Sequence, residues 1–172
     1  DYNKVCDTSA TLLSMPQIGS RIGQQDFLAG IYENLSMATL AMGESTAAKE
    51  YQVADKGIYK RLLEAHPDNE KYMRDVAISC IRQTELLMSI GGKVDDAIAE
   101  INAGEEMLQR VLTLIPNSPK AIKNYLALLN TKVKVHVLMR NFEATDEALT
   151  LFEHFTLQHI LETRDTSLVP LM

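Results

Sequence analysis

Few side chains in this 172-residue chain have the types and spacing that catalysis or metal binding needs. The four histidines are His66, His136, His154 and His159. His154 and His159 are five residues apart and so fall on different faces of a helix, whereas a shared metal needs an i, i+4 pair. His66 stands in a turn before Pro67. The two cysteines, Cys6 and Cys80, form no metal-binding spacing. Cys80 lies on the apolar stripe Met73, Val76, Ala77, Cys80, Thr84, Leu87 and reads as a small buried hydrophobe. Free cysteines of this kind suit a reducing compartment such as the cytoplasm. There is no glycine-rich phosphate loop, nucleophile elbow or cysteine–histidine pairing. The expectation is a non-enzyme with no catalytic residue, no metal and no cofactor.

A binding surface is the better prospect. Lys120, Lys123, Ala127, Asn130 and Lys134 recur at i, i+3, i+7, i+10 and i+14, which is one helix face, and Asn124 flanks it. Lys71, Arg74, Ile78 and Arg82 form a comparable stripe earlier in the chain. The candidate ligand-binding residues are therefore Arg74, Arg82, Lys120, Lys123, Asn124, Asn130 and Lys134. Basic and amide side chains on one surface suit an acidic peptide or a C-terminal carboxylate, held by charge-assisted hydrogen bonds. The competing reading is a solvated face with scattered lysines. Asp95, Asp96, Glu100, Glu105 and Glu106 fall on other helices, and separating the signs between faces would sharpen the field. Asn34-Leu35-Ser36 matches a glycosylation pattern but lies inside a helical stretch, where the match reads as chance.

The elements that must position this face are helices. Apolar residues make up 46% of the chain, enough for a sizeable core, and 8 glycines and 5 prolines leave little punctuation for strands and turns. The net charge of −6 gives a nucleic-acid role no bulk support. No apolar run reaches the length of a membrane span. Val94, Ala97, Ile98, Ile101, Leu108, Val111, Leu112 and Ile115 recur at three- and four-residue steps up to Pro116, marking an amphipathic helix and its stop. Ser118 then caps the next helix with Pro119 at its first position, and Asp68 and Asn69 do the same after Pro67. The spacing predicts seven helices, near 2–14, 20–42, 45–65, 69–90, 94–114, 119–140 and 142–163. Short connectors between them force antiparallel neighbours. Glycines inside helices cost about 1 kcal/mol each against alanine. Gly57, Gly104, Gly23 and Gly30 therefore point to close helix–helix approach.

The chain also repeats. Gly43 to Gly92 and Pro67 to Pro116 both span 49 residues. A fixed period of this length is the mark of a helical array. The boundaries follow: a half unit at 1–16, hairpins at about 20–67, 69–116 and 119–165, and a tail at 166–172 ending Leu168-Val169-Pro170-Leu171-Met172. The chain opens on Asp1 rather than Met, as a trimmed or processed product would.

Two sets of residues resemble tetratricopeptide repeats (TPRs). Gly92-Lys93-Val94-Asp95-Asp96-Ala97-Ile98 is similar to that family's inter-helix turn and second helix, and Thr145-Asp146-Glu147-Ala148-Leu149 is a second copy of its acidic-Ala-apolar part. Val111 to Ser118 and Leu62 to Asn69 resemble the family's helix end and closing proline turn. The unit is longer than the family's, which is about 34 residues. A long-helix variant is implied, similar to arrays appended to bacterial signalling proteins, including Ser/Thr kinases. The resemblance implies an all-α, right-handed superhelical array of antiparallel hairpins, a TPR-like α-solenoid. It also implies a scaffold that binds a protein or acidic peptide in a concave groove lined by the first helices. The alternative is a self-assembly or sensory domain of a larger signalling protein, with a homodimer formed through the array ends.

Overall fold

Seven α-helices make up the computed structural model, which describes residues 2–13 and 22–163. They are α1 (Tyr2–Leu13), α2 (Ile22–Ala41), α3 (Ser45–Ala65), α4 (Glu70–Ser89), α5 (Val94–Leu114), α6 (Pro119–Leu138) and α7 (Phe142–Thr163). Among the described residues there is no strand. Each helix lies within two residues of its expected bounds. The linker around Pro16, the tail at 166–172 and the side chain of His159 lie outside the described residues.

The caps explain the starts. The Asn69 side chain accepts from the backbone N–H of Lys71 and Tyr72, and Ser118 accepts from that of Ala121 with Pro119 behind it. Each bond satisfies donors that the first helical turn leaves open. The two proline turns also close alike, with Asn69 N–H donating to His66 O and Ser118 N–H to Ile115 O.

The hairpin turns correct the sequence register by one residue. Glu44, Gly92 and Asn141 donate their N–H groups to the carbonyls of Thr39, Leu87 and His136, five residues back. Each is the closing bond of a Schellman motif, whose preceding residue must adopt a left-handed conformation. That residue is Gly43 (φ 82°), Gly91 (φ 66°) and Arg140 (φ 56°). Gly43 thus matches Gly91, not Gly92, because the α4–α5 connector is one residue longer than the others. Gly92 is needed for space: a Cβ there would lie 2.9 Å from Leu87 Cδ2.

Helices adjacent in sequence pack against one another, and α4 also packs on α6. The main core joins α4 to α7 through Ile81, Ile101, Leu108, Leu126, Leu129 and Phe152. A second cluster joins α2, α3 and α4 through Ala29, Ile58, Leu62 and Tyr72, and Met73, Val111 and Ala121 link α4, α5 and α6. Close approach accounts for one of the four helical glycines. A Cβ on Gly104 would meet Cys80 Cβ at 3.1 Å, Leu128 Cδ1 at 3.2 Å and the Ala77 carbonyl at 3.3 Å. Gly23 and Gly30 have nothing within 4 Å, and Gly57 meets only the end of Arg61 at 3.6 Å. The close-approach reading does not hold at those three positions.

Candidate functional site

Helices α4 and α6 lie side by side, and ion pairs from Arg82 to Glu33 and from Lys71 to Asp26 tie α2 to α4. Two clefts open along the surface of these three helices. The first, about 330 Å³, lies between α4 and α6 and has Ile78, Ile81 and Ala127 in its lining, with Arg82, Asn124 and Asn130 as polar groups. The second, about 360 Å³, lies between α2 and α4, with Met37, Leu40 and Leu86 beside Ser36 and Gln52. Arg82 and Glu85 line both clefts and so join them.

The seven candidate residues separate into three groups. Arg82, Asn124 and Asn130 meet in the α4–α6 cleft. Lys134 stands at its margin, 3.6 Å from Glu85. Arg74, Lys120 and Lys123 line neither cleft. Arg74 is held by Glu70 at 2.9 Å, and Glu70 also accepts from the Ser118 hydroxyl at 3.0 Å, so Arg74 braces the junction of α4 and α6. Lys120 and Lys123 are exposed and form no ion pair among the described residues.

The cations on this surface face carboxylates of α2 and α4. Glu33 of α2 binds Arg82 at 2.6 Å, and Asp26 of α2 and Asp75 of α4 both accept from Lys71. Two charged hydrogen bonds raise the Lys71 ammonium above its ordinary pKa, although burial acts against them. The face therefore carries mixed charge. The anticipated split of signs does not hold: Glu100 of α5 pairs with Lys56 of α3, and Glu105 of α5 pairs with Lys132 of α6. Glu33, Glu85 and Gln52 were missed because their role depends on which helices become neighbours, and no local spacing encodes that.

Beneath the surface lies a buried polar layer. Asp55 of α3 is fully buried, and its Oδ2 accepts from the Ser79 hydroxyl at 2.8 Å and from Gln52 Nε2 at 3.2 Å. Its Oδ1 has no partner among the described residues. Burial pushes the Asp55 carboxyl up to about 6; the Ser79 bond and the Arg82 charge pull it down, while Glu33 and Asp75 add to the rise. The Ser36 hydroxyl donates to the Ala48 carbonyl at 2.9 Å, extending the layer to α2.

Other groups that could carry chemistry lie apart from these clefts. Cys80 is buried, and burial lifts its thiol to about 11. His66 is exposed and packs its ring on Tyr72. His136 is half-buried, and burial with nearby Lys132 lowers its pKa. Among the described residues, no three His, Cys, Asp or Glu side chains gather as a metal site would, and no helix is long and apolar enough to cross a membrane. A further concavity, about 770 Å³, lies between α1 and α2, where Val5, Leu12, Phe27 and Ile31 are joined by Lys4, Asp26 and Asn34. It contains none of the seven candidates. Apolar walls with a few convergent polar groups suit recognition, and both this concavity and the α4–α6 cleft have them; the cleft is the one that gathers Arg82, Asn124 and Asn130. No family model matches the chain, and no curated protein or solved structure matches it.

Proposed function

We propose that this protein is a protein–protein interaction module of the TPR-like kind, a right-handed solenoid whose α2–α4–α6 surface receives a segment of a partner protein. The packing of each hairpin on the next, with α4 also against α6, is the contact pattern such an array requires. The observation that carries the reading is the joined pair of clefts around Arg82 and Glu85, with Asn124 and Asn130 in one of them. An asparagine amide both donates and accepts, so two of them suit the backbone of an extended segment. The Arg82 guanidinium has five N–H donors, of which Nη2 faces Glu33. It can take a partner's carboxylate beside Glu33. The ligand is thus an extended or helical protein segment carrying carboxylates.

Selection from a displayed random-peptide library tests this, with the enriched peptides then measured by fluorescence anisotropy. Binders should be rich in Asp and Glu, and their affinity should fall as salt rises. Replacing Asn124 and Asn130 together by alanine should weaken them about tenfold or more, at roughly 1 kcal/mol per hydrogen bond lost. A library that yields no binder, or binders indifferent to that double change, counts against the reading.

A further inference from the structure

The α6–α7 turn differs from its two sisters in a consistent way. Where the first two hairpin turns carry Ala41 and Ser89 as the last helical residue, this one carries Leu138. Where they carry Gly43 and Gly91 in the left-handed position, it carries Arg140. The first residue of the following helix is Ser45 in α3, Val94 in α5 and Phe142 in α7. A left-handed conformation is unfavourable for a residue with a Cβ, so Arg140 stands where glycine is easier. Its neighbours Phe142 and Leu138 are 72% and 65% exposed. Fifteen large apolar side chains are exposed among the described residues, and seven lie between Val137 and Leu157. Phe142, Leu149 and Leu157 recur at seven and eight residues along one face of α7.

The charges say what covers this surface. Arg140 forms no ion pair among the described residues. The first turn of α7, two residues beyond the turn, carries Glu143, with Asp146 behind it. The patch thus has an apolar centre, one cation on the turn and carboxylates on the helix that follows. A surface of that kind is complementary to itself under a two-fold axis, which sets residue i of one copy against residue j of the other and j against i.

We infer that the α6–α7 turn and the outer face of α7 form a homodimer interface, in which Leu138 and Phe142 of two copies meet and Arg140 of each copy pairs with Glu143 of the other. This surface is separate from the α2–α4–α6 clefts, so the two can work together: a two-fold dimer presents two peptide-binding faces and gains avidity for a partner with two segments.

Sedimentation equilibrium from micromolar to millimolar chain tests the inference. The expected result is a species of twice 19.2 kDa that dissociates on dilution. Phe142→Ser should weaken the dimer about tenfold or more with the helical circular dichroism unchanged, because the residue is exposed in the monomer. Arg140→Glu alone and Glu143→Arg alone should each weaken it, since each sets like charges together. Mixing those two variants should restore a dimer, because every contact between them is again a cation against a carboxylate. A monomer at every concentration overturns the inference and leaves the patch to a different protein. A dimer indifferent to Phe142→Ser, or a mixture that stays monomeric, overturns it equally.

Discussion

Asp55 and Ser79 meet where, 49 residues further on, Gly104 and Leu128 meet. Both pairs join a second helix to a first helix, the earlier by a 2.8 Å hydrogen bond and the later by apolar contact at a position where a Cβ would press on Leu128 Cδ1 at 3.2 Å. The α3–α4 contact thus holds a carboxylate and a hydroxyl where the α5–α6 contact holds a glycine and a leucine. The polar pair makes the first interface sensitive to protons, and the apolar pair is insensitive to them.

The first prediction is a pH dependence of stability. Burial holds the Asp55 carboxyl at about 6 in the folded protein, against an ordinary 3.8. The folded state therefore holds its proton more tightly than the unfolded chain does. Above pH 6 the ionised group costs stability; as pH falls through 6 towards 3.8 that cost is removed. A shift of about two units corresponds to roughly 3 kcal/mol. Asp55→Asn removes the charge and keeps the shape. Urea denaturation should find it more stable than the parent near pH 8 and about equal near pH 4, so that the difference between the two isolates Asp55 from other carboxylates.

The second prediction separates two helical glycines. Gly104→Ala places a Cβ against Cys80, Leu128 and a backbone carbonyl. Overpacking of about 1–3 kcal/mol outweighs the helix propensity gained. Gly57→Ala meets only ordinary contact at 3.6 Å and should stabilise by up to about 1 kcal/mol. Thermal denaturation of both variants should move the midpoint in opposite directions.

The third concerns the core between the last two hairpins. Leu108 is fully buried within it, and Leu112 is half-buried at its edge. Leu108→Ala should cost about 2–5 kcal/mol. Leu112→Ala should cost less, about 1–2 kcal/mol, because part of its surface is already in water. Chemical denaturation gives both values, and equal costs would count against the described register of α5.

What could be read in advance was local. Pro67, Asn69, Pro116, Ser118 and Pro119 fix helix ends through backbone chemistry within a few residues, so seven helices were visible in the chain. The register of the hairpin turns was misread by one because Gly91 and Gly92 are adjacent and only the backbone shows which is left-handed. The site was partly legible. Asn130 shares a helix face with the lysines by spacing alone, and Asn124 flanks that face. The pairing of Arg82 with Glu33, and the burial of Asp55, depend on how α2, α3 and α4 dock, and a carboxylate in a charged stretch gives no sign of being buried.

Backbone amide shift mapping tests the central claim most directly. An isotope-labelled chain would be titrated with an acidic peptide from the library selection. Shifts confined to the surface around Ile78, Ile81, Arg82, Asn124, Ala127 and Asn130 are the predicted result. Shifts confined instead to the α1–α2 cleft around Val5 and Phe27, or to Leu63, Ala103 and Met107 on the side of the second helices, would contradict the account.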